Sequence, residues 1–212
     1  MNSTRDLSWA EERPLRRATV IYDTQFEETR VLAEALARGF RSQDVPTDLL
    51  TVEEAEGAEL ERFELLALGS PTELLTCSHR MRVFLSHLKN RHLGGRYGFA
   101  FDVKIRHHPG RAAEHIHATL EHYGLRMRVE PASGYVTLAE APAKPPSPAH
   151  EHAVHVLEPG IEAAFEAAGA NVVRKIRGEL LDVWETPSTP APEKPAATTP
   201  EDPKRPKAKW PY

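Results

Sequence analysis

The stretch Ala18-Thr19-Val20-Ile21-Tyr22-Asp23-Thr24-Gln25-Phe26-Glu27-Glu28-Thr29 decides the fold. Its first five residues form a compact apolar run bounded by Arg17 and Asp23. Such a run reads as a strand buried on both faces. A short polar turn follows. Then Thr29 to Arg41 sets Val31, Leu32, Ala35, Leu36 and Phe40 at helical spacing, with Arg30, Glu34, Arg38 and Arg41 largely on the other side. A buried strand that feeds an amphipathic helix is the first half of a βαβ unit.

The rest of the chain repeats the pattern. Pro46 punctuates, and Thr47 to Val52 reads as a short second strand. The acidic stretch Glu53 to Glu64 reads as a solvated loop or short helix. Phe63 to Gly69 is a third buried strand that ends in Gly69-Ser70-Pro71-Thr72. Met81, Phe84, Leu85 and Leu88 mark a helix stopped at Gly94-Gly95, and Tyr97 to Val103 is a fourth strand. The next helix carries Ala112, Ala113, Ile116, Leu120 and Tyr123 near one side, and Gly124 suits its C-terminal end. Two pieces, 125–129 and 134–138, read as parts of a fifth strand. A last helix runs from Glu158 to about Asp182, with Pro159 in its first turn. Strands alternating with helices give a parallel sheet covered on both faces, joined by right-handed crossovers. Ligands of such sheets sit beyond the carboxyl ends of the strands, near the switch point. The turns Asp23–Thr29, Ser70–His79 and Asp102–Gly110 are therefore the candidate site.

Composition sets the boundaries. Of 212 residues, 40% are apolar and 27% charged, and eight of the 18 prolines fall between Pro187 and Pro211. Residues 185–212 are therefore expected to be a disordered Pro/Lys-rich tail, and residues 1–16 a disordered or extended lead. Residues 17–184 then form one domain, with a Pro-rich surface insertion at 139–157. One cysteine, Cys77, excludes a disulfide framework and a multi-cysteine zinc site. No apolar run approaches the roughly 18–20 residues of a membrane-spanning helix. The N-terminal residues lack the apolar core of a signal peptide. A net charge of −4 provides no basic field for nucleic acid. A cytoplasmic protein, without membrane insertion or nucleic-acid binding, is the expectation, as a monomer or weak homodimer. The 11 histidines include no pair at i and i+4, so no metal site is expected. Cys77 lies in the second candidate turn but lacks an anion cradle at the right spacing and reads as an incidental thiol. A response-regulator receiver shares this topology, yet its phosphoacceptor Asp after the third strand is missing, because that strand ends Gly-Ser-Pro-Thr.

At these strand ends the chain resembles the flavodoxin-like family. Val20 to Thr29 resembles the strand and phosphate loop that open a flavodoxin. Leu66-Ala67-Leu68-Gly69-Ser70-Pro71-Thr72 is similar to the family's third strand end and is followed by a Met-x-x-Phe-Leu helix at Met81 to Leu85. Phe99-Ala100-Phe101-Asp102-Val103-Lys104 is similar to the fourth strand end. The resemblance spans about Arg17 to Val136. It implies a three-layer sandwich of five parallel strands in the order 2-1-3-4-5 with helices on both faces. It also implies FMN, used in electron transfer with an unidentified redox partner protein or as part of a flavin-dependent reductase. Thr24, Gln25, Phe26 and Thr29 would take the phosphate, and Ser70, Pro71, Thr72, Glu73 and Leu74 the ribityl chain and ring edge. Phe101, Asp102, Val103 and Lys104 would take the other ring edge, with Lys104 and Arg106 as candidate cations beside the ring. No catalytic residue of the protein's own is implied.

Where the family carries Gly-Asn in the phosphate loop, this chain carries Glu27-Glu28. A glycine lets the backbone approach a phosphate, and a carboxylate repels it. At a separation of about 6 Å and an effective dielectric near 20, the repulsion is about 3 kcal/mol per unit charge product, less where solvent intervenes. A net penalty of about 1–3 kcal/mol weakens binding roughly ten- to a hundred-fold. The alternative is a flavodoxin-like module that has lost FMN and acts through protein contacts, its glutamates pairing with the positive end of the helix instead.

Overall fold

Apolar side chains of the central strands alternate between two cores, which explains why their sequences are continuously apolar rather than alternating. The computed structural model describes residues 15–23, 27–138 and 155–178. The strands are β1 (Ala18–Tyr22), β2 (Thr47–Thr51), β3 (Leu65–Glu73), β4 (Thr76–Cys77), β5 (Tyr97–Ile105), β6 (Arg126–Met127), β7 (Ala132–Leu138) and β8 (His155–Leu157). The helices are α1 (Glu27–Arg41), α2 (Val52–Glu56), α3 (His79–Leu88), α4 (Ala112–His122) and α5 (Ile161–Ile176). Val20 and Tyr22 of β1, Ala67 of β3, and Phe99 and Phe101 of β5 pack with α1 and α5. Ile21, Leu66, Leu68 and Ala100 point the other way, onto α2, α3 and α4.

The sheet order is β2-β1-β3-β5-β7-β8, with β4 paired to β3 and β6 to β5. The expected order 2-1-3-4-5 is recovered along β2, β1, β3, β5 and the fifth strand. The fifth strand is in two pieces, as expected: β6 pairs with the start of β5 at Tyr97–Gly98, and β7 with its end at Phe101–Ile105. Two features differ. β3 does not stop at Gly69 but runs to Glu73 and turns back into β4. And β8, inside the stretch expected to be surface insertion, adds an antiparallel strand beyond β7. Among the described residues the sheet is therefore mixed and eight-stranded.

The acidic stretch folds as α2 and a 3-10 turn at Leu60–Arg62. Thr51 and Glu54 cap α2 reciprocally. Leu15, expected in the lead, is buried in the α1/α5 core. Residues 1–14, the insertion at 139–154 and the proline-rich tail lie outside the described residues. Among the described residues, no helix is long and apolar enough to cross a membrane.

α1 and α5 touch backbone to backbone through two glycines. A Cβ on Gly39 would stand 2.1 Å from the Glu166 carbonyl oxygen, and one on Gly169 would stand 2.5 Å from that of Leu36. Gly169 looks out of place in a helical sequence, and this contact is the reason for it. Outside the crossing, Arg38 of α1 reaches Glu162 at 2.6 Å and Glu166 at 2.9 Å on α5. Those pairs are exposed and contribute little. The close approach sets the helix spacing.

Gly39→Ala gains up to about 1 kcal/mol in helix propensity but must push the helices apart. The expected net effect is a loss of about 1–3 kcal/mol in urea unfolding. Gly57→Ala, where an added Cβ meets nothing within 4 Å, is the control and is expected to be neutral or slightly stabilising.

Candidate functional site

The parallel register brings three chain ends to one level. Tyr22 of β1 pairs with Gly69 of β3, and Gly69 with Phe101 of β5, so Asp23, Ser70 and Asp102 follow together at the carboxyl edge. Ser70 and Asp102 are themselves partners. Each of the three is buried, and each is held by hydroxyls or amides.

Asp23 accepts a short hydrogen bond from the Ser78 hydroxyl. The Arg80 guanidinium lies 3.9 Å from Asp23 and 3.0 Å from Glu53. Ser78 also caps α3, accepting from the Met81 amide at 3.1 Å. Its own amide donates to the Ser70 hydroxyl oxygen at 3.0 Å, and the Ser70 hydroxyl donates to the Pro71 carbonyl at 2.9 Å. Both serines are thus fully engaged in tying β1, β3 and α3 together.

Asp102 sits deeper. One carboxylate oxygen accepts from the Thr72 hydroxyl at 2.9 Å and from the Ala113 amide at 3.3 Å, with the Lys104 ammonium 3.6 Å away. Ser133, opposite Asp102 in the β5–β7 register, turns its hydroxyl toward this carboxylate. No hydrogen bond of good geometry reaches the other oxygen, Oδ1, among the described residues. Burial pushes the carboxyl above its ordinary range, against the opposing pull of Ser133, Lys104, Thr72 and the Ala113 amide. Lys104, only 12% exposed, also donates to the Gly110 carbonyl at 3.3 Å.

Above these groups lies a cleft of about 130 Å³, lined by Glu28 and Thr29 of α1, Pro71 and Thr72 of β3, Val103 to Ile105 of β5, His108, Val136 and His155. It gathers Thr29, Pro71, Thr72, Val103 and Lys104 of the expected site residues. Ser70, Glu73, Leu74, Phe101 and Asp102 do not line it. Phe101 is core, its ring edge-on to Phe165 at 5.8 Å. Leu74, 91% exposed at φ +55°, and Leu75, 62% exposed, form the tip of the β3–β4 hairpin. A positive φ there is strained for leucine. Arg106, the other candidate cation, lies over Tyr135 at 4.3 Å and is bound by Glu158. Cys77 is buried, and burial raises its thiol pKa, which makes it a poor nucleophile. Thr24, Gln25 and Phe26 lie outside the described residues.

Val136 and His155 lie outside the three expected turns, while Ile105 and His108 lie within the third but were not assigned to the ligand. Ile105 continues the β5 alternation and was within reach of pattern reading. His155 reaches the cleft only through the antiparallel pairing of β8, for which local sequence carries no signal.

The group implied by the strand-end motifs is FMN, and the donor set can be tested against it. Pro71, Val103, Ile105 and Val136 offer apolar walls to a flat ring, and Lys104 a cation at its edge. This side fits. At the α1 end Thr29 offers a hydroxyl, but Glu27 and Glu28 beside it do not complement a phosphate. The described cleft is also smaller than the roughly 300–1,000 Å³ of a complete small-molecule pocket.

No family model and no curated protein matches this sequence. Solved structures do match. A flavodoxin from the domain Archaea is 19% identical, over 76% of this chain and 99% of that one, with a TM-score of 0.60. Oxidised flavodoxin 1 from Bacillus cereus is 15% identical, over 78% and 99%, with a TM-score of 0.58. The rubredoxin oxygen:oxidoreductase from Desulfovibrio gigas is 16% identical over 81% of this chain but only 39% of its own, with a TM-score of 0.58. At such identities the likeness is one of fold.

Because the folded state holds the Asp102 proton more tightly than the unfolded chain does, stability falls as pH rises from the ordinary carboxylate range through the raised value. Asp102→Asn removes that slope. Urea midpoints measured between about pH 4 and pH 7 are expected to fall in the wild type relative to the variant. Parallel profiles would refute the burial account.

Proposed function

We propose that this chain, flavodoxin-like in its fold, binds a flavin in the cleft beside α1 and serves in electron transfer or as the flavin-carrying component of a reductase. FMN is the ligand that the likeness to flavodoxins implies. The reading is carried by one observation: an apolar-walled cleft with a part-buried lysine lies at the carboxyl ends of β3 and β5, beside the first helix of a doubly wound sheet. That is where ligands of such sheets bind.

Pro71, Val103, Ile105 and Val136 would hold the faces of the ring and exclude water from it. Lys104, kept in place by Asp102 and the Gly110 carbonyl, would present positive charge to the ring edge. Thr29 would turn its hydroxyl toward the ribityl and phosphate end. A bound flavin supplies one- or two-electron carriage, and the protein's part is to orient it and set its electrostatic surroundings. The expected setting is the cytoplasm, where the chain acts as a monomer or weak homodimer on a redox partner protein.

The purified full-length protein is expected to show flavin absorbance near 450 nm, or to acquire it on titration with FMN. Absence of flavin and no binding at high micromolar FMN would overturn the reading and leave a module that works through protein contacts. Lys104→Met is expected to weaken binding about three- to thirty-fold, corresponding to roughly 0.6–2 kcal/mol.

A further inference from the structure

The two ends of the cleft differ in charge. Lys104 stands at the β5 side, while the β1–α1 end is negative. Glu28 lines the cleft itself. Glu27 is 79% exposed and, among the described residues, pairs with Arg30 at 3.6 Å. Arg30 is held more closely by Glu34, at 2.9 Å. Asp23 lies 3.9 Å from Arg80, which is closer to Glu53, at 3.0 Å. Each of these two arginines therefore already has a nearer carboxylate. Burial raises the pKa of the Tyr22 phenol, next to Asp23 in the chain, while Arg30 pulls it down and Glu54, Glu34 and Glu27 add smaller rises.

A helix N-terminus ordinarily attracts anions. Here the first-turn glutamates of α1 already complement its positive end, so little attraction remains for a phosphate. A phosphate placed at this end would meet the Glu27 and Glu28 carboxylates in competition for the same helix end.

We infer that the cleft selects against phosphate: it takes the uncharged flavin, riboflavin, at least as tightly as FMN. The inference rests on the flavin reading above and reverses the ligand order that the fold likeness implies. Its electrostatic origin has a salt signature. Screening shortens from about 14 Å at 0.05 M to about 4 Å at 0.5 M salt and relieves repulsion. FMN affinity therefore rises with salt, whereas riboflavin, which bears no charge, is far less affected.

The test is a fluorescence titration of the flavin-free full-length protein with riboflavin and with FMN, at about 0.05 M and 0.5 M sodium chloride. The expected result is riboflavin binding equal to or tighter than FMN at low salt, with the FMN affinity rising several-fold at high salt. In the Glu27→Gln/Glu28→Gln double variant the ratio of FMN to riboflavin affinity is expected to rise about tenfold. FMN binding ten or more times tighter than riboflavin in the wild type would overturn the inference while leaving the flavin reading in place. An affinity ratio unchanged in the double variant would also overturn it. Failure of both flavins to bind at high micromolar concentration would overturn the flavin reading and this inference together.

Discussion

The in-register pairing of β1, β3 and β5 is the constraint on which the rest of the molecule depends. Parallel pairing aligns Tyr22, Gly69 and Phe101 at one level. The residues that follow are polar, and they arrive together at the same edge. Gly69 makes this level possible. A Cβ there would lie 2.0 Å from Cζ of Phe101, so a glycine lets the phenyl ring cross the neighbouring strand and reach Phe165 on α5. The sheet thereby places its last apolar layer directly beneath its first polar one. A one-residue slip of β3 would put Ser70 into the core and send an apolar neighbour to the edge.

Above that layer, the buried polar groups act as fasteners. Ser78, Ser70 and Asp23 bind β1 and β3 to α3, while Asp102 binds β3 and α4 to β5 through Thr72 and the Ala113 amide. Buried polar groups are costly unless partnered, so these residues specify one arrangement of the edge. The cleft inherits its shape from them. Ser70 and Asp102, two of the expected site residues, do not line the cleft but hold in place the neighbours that do. Lys104 belongs to both sets, since it is tied to Asp102 and also lines the cleft.

Much of this was legible in the chain. The apolar runs at 18–22 and 97–103 and the helical spacing of Leu32, Leu36 and Phe40 identified sheet and helices, because burial on one or two faces leaves a period in sequence. Strand ends named the edge where the cleft lies, and five of its lining residues with it. The rest depended on interactions distant in sequence. Nothing local distinguishes a turn after Gly69 from a strand that runs on to Glu73, since the extension is held by pairing with Val103 across the sheet and with Cys77 across the hairpin. β8 has only three residues, too few to leave a period.

The sequence by itself determined the order of the five principal strands and the helices between them, the two-sided burial of the sheet, and the carboxylates at the start of α1, because each is a local matter of side-chain type and spacing. Tertiary structure alone decided the depth of each polar side chain and its partner. It committed Ser70 to Ser78, buried Asp102 under Thr72, moved Arg106 away to Glu158, and brought His155 to the cleft. Those outcomes depend on which hydroxyl, amide or charge lies across a strand or helix from another. That is a property of register and helix spacing, to which residue type at one position is blind.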